Sequence, residues 1–564
     1  MTYDLVLQGG RVVDGSGQPS YLADVAVKDG KIVELGHVAG GASKTIDAQG
    51  LVVAPGFIDH HTHMDAQVFW DPYATSEPQH GITSVITGNC GLALAPIKPG
   101  DEDAILKSFV RVEAMPRAAL EEGVPWGWRS YGDYLDSLEG RLGINMGGLV
   151  GHIAVRQYVL GEESVERQAS AAEIEQMKRL VREGIAAGSL GFSTNRNERH
   201  MREDGKPVGS RLASDDELLA LCDALGELNA GTIQLALGQY TRKHFAMYEQ
   251  VARRTHRPVI GQTVMYRPAA PTRWTEQLDA AAAIFRAGHR TYLRTHTVPN
   301  YRTFTLENSQ AFDEFPTWKS LMFADIETRK KGLADPEMRQ KLRADLADPR
   351  PTTFHRRWDI VRVDKVVKPE NQKYLGKSVA KVAEMRGQDD IDAFLDLALE
   401  EDLATTFKNA NAGGDPDSMR VILQSPYVLV GNSDAGAHVQ YNAEFGYGTT
   451  LLGLWVREQE ALSLEQAIHK LTFQVASIYG LEGRGLVNKG YAADLVIFDP
   501  AKVNPCEPEW ADDYPGKTKR LIQRSVGMHY TIVNGRVVCE NGKMTGELPG
   551  QVLRNSMYRK HATQ

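Results

Sequence analysis

The feature that most limits the fold is a rhythm in the middle of the chain. Short apolar runs recur at 51–58, 82–87, 144–153, 190–194, 232–237, 258–264, 290–297 and 427–430. Between most of them lie stretches with apolar residues at helical spacing, among them 172–187, 215–229, 244–255 and 276–287. Continuous apolar strands separated by amphipathic helices belong to parallel sheets covered on both faces. Eight of them is the number that closes a TIM-like (β/α)8 barrel, which the pattern predicts over 55–479. An open doubly wound α/β sheet is the alternative that the same rhythm allows.

The two ends are written differently. Short alternating strands at 3–7, 11–14, 23–28 and 31–35 are punctuated by Gly-Gly and Asp-Gly turns, and 493–499, 531–533 and 536–540 repeat the style with Asn-Gly turns. Either set is too small to be stable by itself. Together they are expected to form one composite β-sandwich, 1–54 with 480–564. Two long interruptions of the barrel stand out, near 99–137 with Trp126, Trp128, Tyr131 and Tyr134, and near 301–357 with its dense charge. Segments of that length are lids, binding elements or inserted subdomains, or else oligomer contacts, so a homo-oligomer fits the sequence.

Composition narrows the function class. Of 564 residues, 42% are hydrophobic and 24% charged, enough for a sizeable core. The net charge of −8 argues against nucleic acid as a partner. No run approaches the roughly 20 apolar residues of a membrane span. The start, Met1-Thr2-Tyr3-Asp4, lacks the basic and apolar segments of a secretion signal, and four cysteines are no disulfide framework. The expectation is a cytoplasmic protein acting on a small molecule.

The chemistry concentrates at predicted strand ends. Pro55-Gly56-Phe57-Ile58-Asp59-His60-His61-Thr62-His63 closes strand one. Residues two apart on a strand face one side, so His61 and His63 converge and can share a cation while His60 turns away. Asp434, in Asn432-Ser433-Asp434 after strand eight, is placed either to ligate the same cation and act as general base or to cap the following segment. Cys90, after strand two, is either a thiolate ligand or a small buried hydrophobe. His152, after strand three, can donate to a developing oxyanion. Arg156 and Arg196 can clamp a carboxylate or form surface ion pairs, with Asn195 alongside. His296 ends strand seven, within reach of the site or packed away from it.

These pieces resemble the N-acyl-D-amino-acid deacylases, the D-aminoacylase branch of the amidohydrolase superfamily. The matching segments are 55–65, 80–91, Gly151-His152, 187–194, 431–438 and the closing run 485–496. The resemblance implies a zinc hydrolase whose His61, His63 and Asp434 hold metal, with Cys90 in place of a carboxylated lysine. The family's imidazoles at the ends of strands five and six are missing. Gln239 and Gln262 stand nearby, and an amide suits substrate better than zinc. One Zn2+ ion is therefore favoured over two. The reading that follows is metal-assisted hydrolysis of an amide C–N bond in an N-acylated amino acid or cyclic amide. Asp434 would move the proton, His152 would steady the oxyanion and Arg196 would hold a carboxylate. Decarboxylation, a lyase step or another hydrolysis on the same fold, and a non-catalytic assembly protein, are the alternatives.

Overall fold

The computed structural model describes residues 2–558 apart from 239–241, 268–269, 299, 308, 350–351, 353, 355, 414 and 441–442. The chain divides into two compact units, 1–265 with 274–298 and 416–564, and 266–273 with 299–415.

In the first unit eight parallel strands follow one another in chain order: Phe57–Asp59, Ile82–Thr87, Asn145–Gly151, Gly191–Asn195, Thr232–Ala236, Val259–Thr263, Thr291–Thr295 and Val428–Val430. Six fall within the apolar runs, and Phe57–Asp59 and Gly191–Asn195 each extend one residue past theirs. Just past the first and eighth strands, Thr62 and Ala435 form a parallel bridge, and the His63 amide donates to the Ala435 carbonyl at 2.7 Å. The two edges of the sheet thus meet, as a barrel requires and an open doubly wound sheet does not. Helices such as Ala171–Ala186, Asp215–Leu228 and Arg273–Arg286 supply the crossovers. The first two of these begin at Ser170 and Ser214, whose side chains accept from the amides three residues on.

The termini share one mixed sheet. Val52–Pro55 lies between Tyr3–Val12, parallel to it, and Leu495–Phe498, antiparallel to it. The apolar run 51–58 is therefore split, its first half serving the terminal sheet and its second the barrel. The aromatic residues of the 99–137 insertion are packing elements: Trp128 is buried, stacks on Phe69 at 5.0 Å and donates to the Leu94 carbonyl.

The second unit has its own three-stranded antiparallel sheet, Asn300–Phe304, Thr406–Ala412 and Val361–Lys365, with Thr406–Ala412 in the middle. Its core is aromatic, with Phe312 stacked on Trp318 at 4.2 Å beside Phe354, Phe394 and Phe407. The unit runs well past residue 357 because its central strand arrives only at 406.

Candidate metal centre

The barrel's strands end in tight turns that aim side chains at one place. After strand two, Gly88 and Cys90 adopt φ of +73° and +54°. A Cβ at Gly88 would lie 2.2 Å from the Leu149 carbonyl oxygen, so only glycine fits. The Cys90 amide donates to Gln234 Oε1 at 3.2 Å, which fixes the turn against strand five. After strand eight, Asn432 and Asp434 take φ of +83° and +49°, a conformation short polar side chains tolerate best. The Asp434 amide then reaches the His61 carbonyl at 3.2 Å.

Donor atoms of His61, His63 and Cys90 all lie within 4.8 Å of one another. Cys90 Sγ is 3.6 Å from His61 Nε2, and Asp434 Oδ1 is 3.2 Å from the same nitrogen. Around a tetrahedral zinc with bonds of about 2.0–2.3 Å, neighbouring donors sit about 3.4 Å apart, or about 3.6 Å where one is sulfur. The spacing fits a cation, and His63 Nδ1 is buried without a hydrogen-bond partner. Burial is the main cause that pushes the His63 imidazole down to about 3, with His438 and Arg294 adding repulsion, and burial with Arg294 also holds His61 well below the ordinary imidazole value. Both rings are therefore neutral, the form that ligates metal. Burial raises the Cys90 thiol, and Glu113 adds to the rise, so a thiolate there calls for a cation. Asp59 and Asp65 are each pushed up to about 7, chiefly by burial.

Two neighbours of this cluster escaped the sequence. Glu113, at the end of helix Glu102–Val112, is buried with Oε1 3.6 Å from His63 Nε2 and Oε2 3.8 Å from His438 Nε2. Arg294, on barrel strand seven, is only 5% exposed. Its Nη1 lies 3.0 Å from His61 Nε2, also contacts His61 Nδ1, and donates to Asn432 Oδ1 at 2.5 Å. A lone arginine in a strand buried on both faces was the available signal.

Several expected participants are engaged elsewhere. His152 is wholly buried, Nδ1 2.6 Å from the Thr194 hydroxyl and Nε2 2.9 Å from Glu217 Oε1. With both nitrogens occupied it has none left for an oxyanion, which corrects the catalytic expectation. Arg156 is bound to Glu217 in the same network. Arg196 is taken by Asp215 at 2.5 Å and the Ser214 carbonyl at 2.6 Å, so it holds no free clamp. Asn195 contacts His200 and accepts from the Asn197 amide. Gln262 donates to the Gly238 carbonyl and faces His244, while Gln239 lies outside the described residues. His296 is paired with Glu444 at 3.0 Å through Nδ1 and lies 3.0 Å from Asn432 Nδ2 through Nε2. Beside the metal donors it is a supporting group.

A closed parallel barrel with a histidine pair, a cysteine and an aspartate at its strand ends defines a class of metal-assisted hydrolases. The chain belongs to the amidohydrolase family, whose model matches residues 44–539. Within it the chain is D-aminoacylase-like. It is 28% identical to the D-aminoacylase of Alcaligenes xylosoxydans xylosoxydans over 98% of this chain and 97% of that protein. It is 29% identical to that organism's N-acyl-D-aspartate deacylase, over 98% and 95%. The fold matches a crystal structure of the N-acyl-D-glutamate deacylase of Bordetella bronchiseptica, complexed with zinc and a phosphonate mimic of the tetrahedral intermediate. That match has a TM-score of 0.68 at 25% identity and covers 98% of this chain and all of the other.

Proposed function

We propose that this protein hydrolyses the amide bond of an N-acyl-D-amino acid, using one zinc ion held by His61, His63, Cys90 and Asp434. The observation that carries the reading is the donor spacing around His61 Nε2, 3.6 Å to Cys90 and 3.2 Å to Asp434. The relatives, named as deacylases of D-amino acids, support the substrate class. A zinc ion in this site supplies Lewis acidity, polarising the amide carbonyl and acidifying water.

The chain's own residues do the rest. Neutral His61 and His63 are both buried. The Asp434 side chain is 31% exposed, in contrast to the buried imidazole beside it. It takes the proton from the attacking water and returns it to the amine nitrogen as the C–N bond breaks. The Asn432 amide, 3.3 Å from Asp434 Oδ1, fixes the carboxylate's orientation. With strands five and six lacking imidazoles, the donor set suffices for a single ion. Four free cysteines agree with a reducing cytoplasm, and no helix among the described residues is long and apolar enough to cross a membrane.

The test is zinc content and turnover of a panel of N-acetyl-D-amino acids by the full-length protein. Asp434→Asn is expected to lower kcat about 10²–10⁴-fold, and His61→Ala to empty the site. Full activity in both variants, or inactivity of the zinc-loaded parent on the whole panel, overturns the reading. The second outcome would turn attention to other chemistry on the same barrel.

A further inference from the structure

In the second unit, strand Val361–Lys365 is followed by a loop, 366–375, that returns beside the same strand. The Gly376 amide donates to the Val363 carbonyl at 2.8 Å and the Val363 amide to the Lys377 carbonyl at 2.9 Å, so the two ends are fastened together. From within, the Glu401 carboxylate accepts from the Val367 and Lys368 amides and, at 2.6 Å, from Asn371 Nδ2. Tyr374 is buried with the Arg386 guanidinium 4.7 Å from its ring centre. So anchored, the loop still leaves Val367 68% exposed and Leu375 40%. Interleaved with them are Lys365, Lys368, Lys373 and Lys377, against Asp364 and Glu370, in a chain whose net charge is −8. Lys365, Lys373 and Lys377 make no ion pair with a carboxylate among the described residues.

We propose that this loop is a docking surface for an anionic phospholipid bilayer, with Val367 and Leu375 entering the interface and the lysines meeting the headgroup phosphates. The inference goes beyond the hydrolase reading and does not depend on the metal centre. Each cation near an acidic lipid surface adds about fivefold to binding, and the aliphatic groups gain by leaving water. Either contribution alone gives a loose, reversible attachment, and the loop supplies both. Its chemistry favours lipid over two other occupants. Single-stranded nucleic acid needs exposed rings on which its bases stack, and the nearest aromatic residues in sequence, Trp358 and Tyr374, are buried. A second copy would have to bring an acidic face. On this unit the acidic run 389–402 is already engaged: Asp389, Asp392 and Asp396 with Arg339 and Arg343, Glu400 with Arg386, Asp402 with Lys330, and Glu401 with the loop itself.

The experiment is co-sedimentation of the full-length protein with vesicles of phosphatidylcholine alone, and of equal parts phosphatidylcholine and phosphatidylglycerol. Binding is expected to the acidic vesicles only, weakening roughly tenfold or more as salt rises from about 0.05 M to about 0.5 M. Lys365→Gln, Lys368→Gln and Lys373→Gln combined should lower the partition coefficient roughly 100-fold. Val367→Ser with Leu375→Ser, which leaves the charge alone, should lower it roughly tenfold. The substituted side chains are exposed, so both variants should keep the parental urea midpoint, which separates lost docking from lost folding. Failure to bind acidic vesicles at low salt overturns the inference, as does equal binding to both kinds of vesicle or undiminished binding by either variant. A single-stranded oligonucleotide bound more tightly than the vesicles, with that binding lost in the glutamine variant, overturns it in favour of nucleic acid. A dimer in the ultracentrifuge that the serine variant abolishes overturns it in favour of a second copy.

Discussion

Replacing His152 separates two accounts of a residue that stands at a barrel strand's C-terminal end. The structure gives it a Thr194 hydroxyl at 2.6 Å and the Glu217 carboxylate at 2.9 Å, with Arg156 closing the network on Glu217. His152→Ala removes one neutral hydrogen bond, about 1 kcal/mol, and one to a charged partner, about 1.5–3 kcal/mol. The expected destabilisation is therefore about 2.5–4 kcal/mol, read as a loss in unfolding free energy by urea titration. Arg156→Met, which leaves the Glu217 charge buried without its main partner, should cost about 3–5 kcal/mol. Neither change touches the metal donors, so zinc content should stay at the parental level and kcat within about tenfold, or about 1.4 kcal/mol of barrier. An oxyanion donor would behave in the opposite way, with kcat falling about 10²–10³-fold. A His152→Ala protein with parental stability and zinc content but kcat reduced a hundredfold would refute the structural account.

Two further outcomes follow from buried groups. Glu113 faces His63 Nε2 at 3.6 Å, as a carboxylate that orients a ligating imidazole does, so Glu113→Gln should weaken zinc binding about 10- to 100-fold in competition with a chelator; unchanged affinity would remove Glu113 from the centre. Lys470 is buried with its ammonium on the Ser425 and Val428 carbonyls, and burial pulls it down from 10.5 to about 8. Between those values the native chain has lost this proton and the unfolded chain has not, so the group's contribution to stability rises with pH by about 3 kcal/mol across the window and is lost again as pH falls through 8. Lys470→Met should flatten that slope in urea titrations at pH 7.5 and 10; an identical slope in parent and variant would refute the assignment.

The barrel was legible because its eight strands lie in or overlap predominantly apolar runs, and burial on both faces leaves that trace in a parallel sheet. The candidate donors were legible for a related reason: His61 and His63 are two residues apart, and Cys90 and Asp434 follow apolar runs by three and four residues. What spacing does not encode is the path of the intervening chain. Glu113 reaches His63 from 50 residues away, through a helix that starts inside the 99–137 insertion. Glu217 claims His152 across 65 residues and Arg156 across 61. Such pairings decide which basic side chains are committed, so the sequence favoured Arg196 as the clamp where the packing pairs it with Asp215. The inserted segment near 301–357 was legible, but its true extent was not, because the middle strand of the second unit, Thr406–Ala412, is about 100 residues from the strand it first pairs with.

The position of Val52–Pro55 bears on how the protein is made. One of its partners, Leu495–Phe498, leaves the ribosome some 440 residues later, and Val552–Leu553, near the very end, completes the pairing of barrel strand three. Until those residues emerge the nascent chain carries an apolar strand with an open edge, ready to join any other extended segment it meets. The native pairing forms only after Leu495–Phe498 has been made. Early termination would release a barrel with unsealed hydrogen-bonding edges, a species built to aggregate, not a smaller working enzyme.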